Sequence, residues 1–280
     1  MFSNKLIALL TLPTLLFLYL AWKVDERYAS WLIPFLVMAA VVYILKNEID
    51  WWWYAKHPPV MAPPLVAILE RYCPFYQQLD EEGRATFRSR TELFKMGTEW
   101  MPMAWPDDEL PEDVKTAIAA AAVMVGFGQS KFLFEKFEKV IVYPCPFPTE
   151  KYHHAHASEL YAPDGCILFS AEQVMWAFMQ PARWYNVAVH EYAKAFVLTY
   201  PQHIWPEKGG RQVDWSLLEQ VSAMDKTHTE AVLGMPVTDF LPVMLHHYFI
   251  FPVKFGEVFP KEKVQFDAIF NAAANKRRFL

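Results

Sequence analysis

A long basic run and an even set of cysteines are both missing from this chain of 280 residues, although residues 276–278 read Lys-Arg-Arg. Its 26 Lys and Arg residues are outnumbered by 31 Asp and Glu, the formal net charge is −5, and no long basic run is present. Proteins that bind nucleic acids place clustered Lys and Arg against the phosphates, so the composition argues against a nucleic-acid partner. The three cysteines, Cys73, Cys145 and Cys166, form neither an even disulfide set nor a metal-ligand spacing, which fits a reducing compartment.

Apolar residues are abundant, at 54% of the chain with a mean hydropathy of +0.07. Their excess lies in two runs, residues 6–22 and 28–45, separated by the charged stretch 23–27. Each run approaches the ~20 residues that a helix needs to cross a bilayer, so residues 1–56 are predicted to form a transmembrane hairpin. The alternative is a cleaved signal peptide followed by one anchor, but the first run lacks a small-residue cleavage site.

The ends of the hairpin indicate how it lies in the membrane. Residues 51–54 read Trp-Trp-Trp-Tyr, and such amphipathic rings settle at the level of the lipid headgroups. Three lysines flank the outer ends of the hairpin and two basic residues lie in its turn: Lys5, Lys46 and Lys56, against Lys23 and Arg27. This distribution favours both termini in the cytoplasm. We therefore expect a multi-pass protein of an inner or plasma membrane, with a cytoplasmic soluble domain.

A proline-rich connector, residues 57–64, is expected to join the hairpin to a soluble domain over residues 65–280, because proline stiffens an extended segment. The periodicity predicts helices at residues 64–79, from 80 onward, and at 112–126, 170–179 and 185–199. Strands are predicted at 139–143 and, as an edge-type strand, at 166–169. The predicted fold class is therefore α+β, mainly helical with a small sheet, preceded by two transmembrane helices.

The most informative string is His190-Glu191-Tyr192-Ala193-Lys194, within the helix predicted at residues 185–199. It follows the zinc-peptidase motif His-Glu-x-x-His except at its last position. The complete motif places two imidazoles on one helix face, where both bind zinc, with the glutamate as general base. Lys194 cannot easily replace the second imidazole, because an ammonium group has three donors, no acceptor and a positive charge.

Other strings accompany this motif: Val142-Tyr143-Pro144, Leu168-Phe169-Ser170, Trp184-Tyr185-Asn186-Val187 before the motif, and Asp239-Phe240. Together they resemble the zinc peptidases related to Mlc titration factor A (MtfA), over roughly residues 65–270. Members of that family typically read Asn-Val-x-x-His-Glu-x-Ala-His on the active-site helix and Pro-x-Glu-x-Phe where the third ligand lies. The resemblance implies a zincin-like metallopeptidase fold.

Carried over by position, the resemblance makes His190 the first zinc ligand and Glu191 the general base. Asp239 stands at the third ligand, where the family has a glutamate, and Lys194 stands at the second. Val232 takes a position where family members tend to have a tyrosine. These departures argue against ordinary peptidase catalysis. We therefore expect no cofactor, or zinc if the site proves functional.

Further histidines offer two more metal hypotheses. His246 is expected on a helix capped by Thr238 that also carries Asp239, and a rearranged site of His190, Asp239 and His246 is conceivable. Asp239 and His246 would share one helix face, but two turns separate them by roughly 10 Å along the axis, which disfavours one small ion. The three histidines within residues 153–156 are interpreted as surface residues of a loop.

Lys194 has a physical interpretation of its own. We predict that its ammonium lies near the vacated metal position and pairs with Glu191, three residues earlier, and with Asp239. A fixed cation would then neutralise the carboxylates that zinc neutralises in a peptidase. The alternative is that the lysine side chain extends into solvent, as lysines readily do.

Two main function hypotheses follow. The first is a membrane-anchored pseudopeptidase that serves as a binding or assembly subunit of a membrane complex. Its partners would be other membrane protein subunits, docked on the hairpin, and a peptide segment in the former substrate cleft. The alternative is an active zinc metallopeptidase with an altered ligand set, which cleaves peptides near the membrane. A third hypothesis keeps the family's regulatory role, with the domain sequestering a transcription regulator.

Overall fold

The computed structural model describes residues 2–206 and 214–270. Contacts divide the chain into two compact units, Met1–Pro59 and Val60–Leu280, so the division falls inside the proline-rich stretch 57–64. Residues 271–280, the end of the predicted soluble domain, lie outside the described residues.

The first unit consists of four helical segments: α1 (Phe2–Lys23), a 3-10 turn (Glu26–Trp31), α2 (Leu32–Ile44) and α3 (Lys46–Lys56). By length and composition, α1 and the segment Glu26–Ile44 could each cross a membrane. Most of their apolar side chains are exposed, and no residue of α2 is buried. The two apolar helices predicted from the sequence are therefore present, and they leave a large apolar surface that fits lipid.

The second unit is mainly helical. Its helices are α4 (Pro63–Tyr72), α5 (Pro74–Gln77), α6 (Glu81–Gly97), α7 (Glu112–Gly126), α8 (Ala171–Met179), α9 (Val187–Thr199), α10 (Trp215–Ser222), α11 (Lys226–Leu233), α12 (Leu241–Ile250), α13 (Pro252–Val258) and α14 (Pro260–Ile269). Its strands are β1 (Glu99–Pro102), β2 (Lys139–Tyr143), β3 (Ser158–Tyr161) and β4 (Cys166–Ser170). The predicted α+β class, with a small sheet, is confirmed.

The four strands form one mixed sheet in the order β1-β2-β4-β3. β2 pairs in parallel with β1 and with β4, whereas β3 pairs antiparallel with β4. β4 therefore lies inside the sheet with every residue buried, and its prediction as an edge strand is wrong. Its continuous apolar run is typical of a strand covered on both faces, and the edge position belongs to the shorter, more polar β3.

Two helices form the centre of this unit. Twelve residues of α7 are buried, and their run of alanines lets α4, α6, α8 and α9 approach closely. The helix α9 in turn contacts α12 and the strands β3 and β4. The helix that carries the His-Glu motif is thus packed against both helices and the sheet.

The helix predicted at residues 64–79 is interrupted at Cys73. α4 ends at Tyr72, and the short α5 begins at Pro74. Cys73 has an extended backbone, with φ −107° and ψ 94°, because the ring of a following proline disfavours the helical conformation. Pro74 also has no N–H to continue the helix. The prediction of one continuous helix is therefore wrong.

Gly165, in the turn between β3 and β4, has a left-handed backbone conformation that residues with a side chain rarely adopt. Its φ is +62°, and an added Cβ would lie 2.6 Å from the carbonyl oxygen of Lys136. We expect Gly165→Ala to lower the free energy of unfolding by about 1–3 kcal/mol. Thermal unfolding followed by circular dichroism measures the change.

Gly256, inside α13, is the matched control for this substitution. A Cβ there would meet no side chain or distant backbone atom nearer than 3.6 Å. Since alanine favours a helix over glycine by roughly 1 kcal/mol, Gly256→Ala should stabilise the protein slightly. Equal effects of the two substitutions would contradict the account of Gly165.

Candidate functional site

The start of α9 fixes where the motif residues lie. Asn186 is the N-cap, and its Oδ1 accepts hydrogen bonds from Ala188 N at 3.1 Å and Val189 N at 3.0 Å. The cap satisfies N–H groups that a helix leaves unpaired at its start. His190 and Glu191 follow one turn later and are 7% and 1% exposed. Both motif side chains are therefore held inside the domain.

Both carboxylate oxygens of Glu191 are engaged. Ser158 Oγ, on β3, donates to Oε1 at 2.8 Å, and Lys194 Nζ lies 2.7 Å from Oε2. Burial favours the neutral acid, but the Lys194 charge and the hydrogen bonds from Lys194 and Ser158 outweigh it and hold the pKa of Glu191 below its usual value. The predicted pairing of Lys194 with Glu191 is confirmed.

The second predicted partner of Lys194 is not found. Among residues 2–206 and 214–270, no ion pair joins Lys194 to Asp239. The Lys194 side chain is 31% exposed, so its ammonium lies at the edge of the buried cluster, and the alternative of a lysine extended fully into solvent is also wrong.

His190 is a neutral imidazole in this setting. Its Nδ1 is hydrogen-bonded to the phenol oxygen of Tyr185 at 2.7 Å. Burial lowers the pKa of His190 to about 4, although the charges of Glu191 and Asp239 oppose that shift. Burial, together with Glu191, raises the pKa of Tyr185 well above its usual value, so the phenol stays protonated. The hydrogen bond between Tyr185 and His190 therefore joins two uncharged side chains.

Asp239 lies before a helix and not on it. α12 begins at Leu241, and Asp239 Oδ1 accepts a hydrogen bond from Leu241 N at 3.1 Å. The N-cap of α12 is Phe240 and not Thr238 as predicted, and Asp239, one residue before it, makes a local bond because its short carboxylate reaches the backbone two residues on. The prediction that Asp239 and His246 share one helix is wrong. The charge of Asp239 nevertheless reaches His190, where it raises the pKa.

His246 is used as a structural acceptor. Its Nε2 accepts a hydrogen bond from the backbone N–H of Asn186 at 3.0 Å, and its ring stacks on that of Tyr185 with centroids 4.0 Å apart. The imidazole is fully buried. A lone pair already directed at a backbone N–H is not available to a metal. This contact ties α12 to the start of α9.

The neighbouring His247 makes two buried hydrogen bonds. Its Nδ1 lies 2.8 Å from Val243 O, to which only an N–H can donate, and its Nε2 lies 2.9 Å from Ser222 Oγ. Burial lowers the pKa of His247 to about 4. Both late histidines therefore connect α12 with its neighbours as neutral side chains.

The histidines of residues 153–156 do not form a common site. His153 and His154 are exposed, as predicted, but His156 is buried. The ring of His156 contacts His154 O through Nδ1 at 3.1 Å and lies 3.5 Å from a carboxylate oxygen of Glu159. The interpretation of all three as surface histidines is therefore wrong for His156.

The residues around His190 do not fit a zinc ion. Protein zinc sites have three or four side-chain ligands, and the described residues contain no group of three or more His, Cys, Asp and Glu that could hold a metal. At the position of the second ligand there is an ammonium group, which has no lone pair and repels a cation. Val232, in α11, is a buried core residue. Zinc chemistry is therefore not assigned to this cluster.

Sequence reasoning missed Ser158 and Tyr185 as members of the cluster, and it named His246 only as an alternative metal ligand and not as the acceptor for Asn186 N. Ser158 lies 33 residues from Glu191 and His246 lies 60 residues from Asn186, so no local spacing connects them. Tyr185 is only five residues before His190, but an aromatic residue at a helix start has many uses. These contacts depend on the packing of β3 and α12 against α9.

The family model described as glucose-regulated metallo-peptidase M90 matches residues 48–196, more than half of the chain. The matched range includes His190, Glu191 and Lys194, and Asp239 lies beyond it. The match confirms the resemblance to the MtfA-related zinc peptidases, whereas the roles of the individual residues stay predictions. No curated protein matches the chain.

Proposed function

The chain belongs to the glucose-regulated metallo-peptidase M90 family, and we propose that it is a membrane-anchored pseudopeptidase of that family. In this proposal it has lost zinc-dependent hydrolysis and acts as a binding or assembly subunit of a membrane complex. Its partners are other membrane protein subunits at the hairpin and a peptide segment in the former substrate cleft.

The ion pair of Lys194 with Glu191 carries the proposal. A general base must present a free carboxylate oxygen to water and accept its proton. Here Glu191 is buried, both its oxygens have partners, and its pKa is lowered. The ammonium replaces the ligand that a peptidase needs and supplies one of the positive charges of the absent metal. The cluster is thus built to be stable without a metal.

The apolar helices support the membrane half of the proposal. α1 and the segment Glu26–Ile44 have the length and composition of membrane spans, and the basic residues at the outer ends favour a cytoplasmic soluble domain. Exposed apolar side chains on both helices offer a surface to lipid or to other membrane helices.

Metal content tests the loss of zinc binding. We expect the full-length protein, purified in detergent with a histidine-free tag and no added metal, to contain no stoichiometric zinc by elemental mass spectrometry. Lys194→His restores an imidazole at the second ligand position, and this variant should hold about one zinc ion per chain. Lys226→His is the matched control, because Lys226 also faces a glutamate on its own helix, Glu230, at 3.7 Å.

Two results would overturn the proposal in favour of an active metallopeptidase with an altered ligand set. One is a wild-type protein that already holds one zinc ion, which His190→Ala then removes. The other is peptidase activity of the wild type that Glu191→Gln abolishes. The retained His190 and Glu191 and the family membership are what support that second candidate.

A further inference from the structure

The start of α1 is held by the helix that follows the hairpin. Ser3 N and Ser3 Oγ donate to the two carboxylate oxygens of Asp50 in α3, each at 2.7 Å, and both residues are buried. The first N–H groups of a helix have no partner within it, and a carboxylate there also complements the helix dipole. Asp50 therefore caps α1 from another helix, a contact named here the Ser3–Asp50 cap.

A stack of rings extends this contact along α3. Phe2 stacks on Trp53 with centroids 4.0 Å apart, and Trp53 stacks on His57 at 4.2 Å. α3 also contacts the end of α2. Because α3 is attached to both helices, it lies at the end of the hairpin where α1 begins and α2 ends.

The opposite face of α3 is exposed. Four exposed residues lie along this face at helical spacing: Glu48, Trp52, Ala55 and Lys56. The indole of Trp52 is 55% exposed, and Lys56 Nζ lies 4.4 Å from its ring centroid. An exposed indole beside a long cationic side chain is the pair that settles at the level of lipid headgroups.

We propose that α3 is an interfacial helix that docks onto the phospholipid headgroup layer through Trp52 and Lys56, positioned by the Ser3–Asp50 cap. The two helices that α3 contacts have the length and composition of membrane spans, so the layer from which they emerge surrounds α3. This inference rests on the membrane crossing included in the proposed function. Glu48 and Lys56 balance each other on the exposed face, so the docking does not require anionic lipid.

Spin labels on the full-length protein in phosphatidylcholine vesicles test the docking. Cys145 is exposed, whereas Cys73 and Cys166 are buried, so Cys145→Ser provides the background. Labels are placed at Ala55→Cys on the exposed face of α3, at Glu257→Cys on the exposed side of α13, and at Val37→Cys in the middle of α2. Power saturation measures the accessibility of each label to a water-soluble nickel chelate and to oxygen.

We expect the label at 55 to be several-fold less accessible to nickel than the label at 257, and less accessible to oxygen than the label at 37. Nickel accessibility equal to that of position 257 would overturn the docking, and so would oxygen accessibility equal to that of position 37. A water-accessible label at 37 shows instead that the hairpin does not cross the membrane, so the two failures are distinguishable.

The cap is tested in the same assay. Asp50→Ala removes both acceptors and should raise the nickel accessibility at 55 several-fold. Asp50→Asn keeps one side-chain oxygen that can accept from Ser3, since asparagine caps helices well, and its label should stay close to the wild-type value. An Asp50→Ala protein with unchanged accessibility at 55 would overturn the positioning role of the cap.

Discussion

Lys194→Met is expected to lower the free energy of unfolding of the soluble domain by about 3 kcal/mol at neutral pH, the low end of the cost of breaking a buried ion pair. The substitution keeps most of the aliphatic chain and removes the charge. Glu191, at 1% exposure, is then left as a buried carboxylate with Ser158 as its donor. Urea unfolding of the full-length protein in detergent, followed by near-UV circular dichroism, measures the loss.

Two further variants separate charge from packing. Glu191→Gln in the Lys194→Met background removes the unpaired charge and should restore most of the stability. Lys226→Met breaks an exposed pair, in which Lys226 and Glu230 lie 3.7 Å apart, and should cost no more than about 0.5 kcal/mol. If the double variant is as unstable as Lys194→Met, the loss comes from packing and the account of the ion pair is wrong.

The pH dependence of this loss has a defined sign. In the wild type the pKa of Glu191 lies below its ordinary value of 4.5, so the pair's contribution is present above that pH and is lost as the pH falls through the lowered pKa. In Lys194→Met, burial dominates and raises the pKa of Glu191. The carboxylate of the variant is then protonated first, and the stability difference between the two proteins should shrink on acidification.

Local signals in the sequence were sufficient to predict the bounds or the cap of several helices and strands. α7 and β2 have the predicted bounds, 112–126 and 139–143, because an alanine-rich run favours a helix and a β-branched run before Pro144 favours a strand. Ser170 caps α8 as predicted, with its side chain accepting from Gln173 N. In each case the residues that decide the element lie within it or beside it.

Other features depend on parts of the chain that are far apart. The apolar run of Cys166–Ser170 indicates burial on both faces, but nothing within it shows that β3 pairs on its free side, so the sequence alone did not place β4 inside the sheet. α12 begins after Phe240, and Asp239 rather than Thr238 bonds the N–H of Leu241, although the side chains of both residues commonly bond to the start of a helix. Where two local signals are equally strong, the tertiary packing determines which of them the structure follows.

The same distinction holds for the cluster around His190. The three-residue spacing of Glu191 and Lys194 on a helix is a local fact, and their ion pair follows from it. The predicted pair with Asp239 required a long-range placement, and it is not found among the described residues. A family resemblance therefore predicts which side chains lie near each other, as the effect of Asp239 on the pKa of His190 illustrates. It does not predict which hydrogen bonds those side chains form.

Mild acid is expected to destabilise the soluble domain more than any single substitution considered above. Burial lowers the pKa of both His190 and His247 to about 4, from an ordinary value of 6.5. In this pH range the unfolded chain binds protons at these histidines and the folded chain does not. The free energy of unfolding therefore falls as the pH drops through 6.5 toward 4. Between pH 7 and 5 this costs about 2 kcal/mol for each of these two histidines.

The pKa of His246 is also lowered by burial, which adds to the same loss. The three imidazoles connect α9, α10 and α12 through Tyr185, Ser222 and Asn186. Protonation of any of them places a charge in a buried site, and near His190 the charges of Glu191 and Asp239 do not outweigh the cost of burial. The domain should therefore unfold cooperatively in mild acid, and the helix contacts around α9 should be lost together.

His247→Gln isolates one part of this effect. The glutamine amide offers one donor and one acceptor in place of the bonds to Val243 and Ser222, and it does not titrate. We expect the variant to be less stable at pH 7 but to lose stability more slowly on acidification. Near pH 5 the unfolded variant should bind about one fewer proton relative to the folded state than the wild type does. The slope of its unfolding free energy against pH should therefore be lower by roughly 1.4 kcal/mol per pH unit. His153→Gln, at an exposed loop position, is the control for the substitution itself. An unchanged slope in His247→Gln would show that the His247 imidazole is not a source of the acid sensitivity.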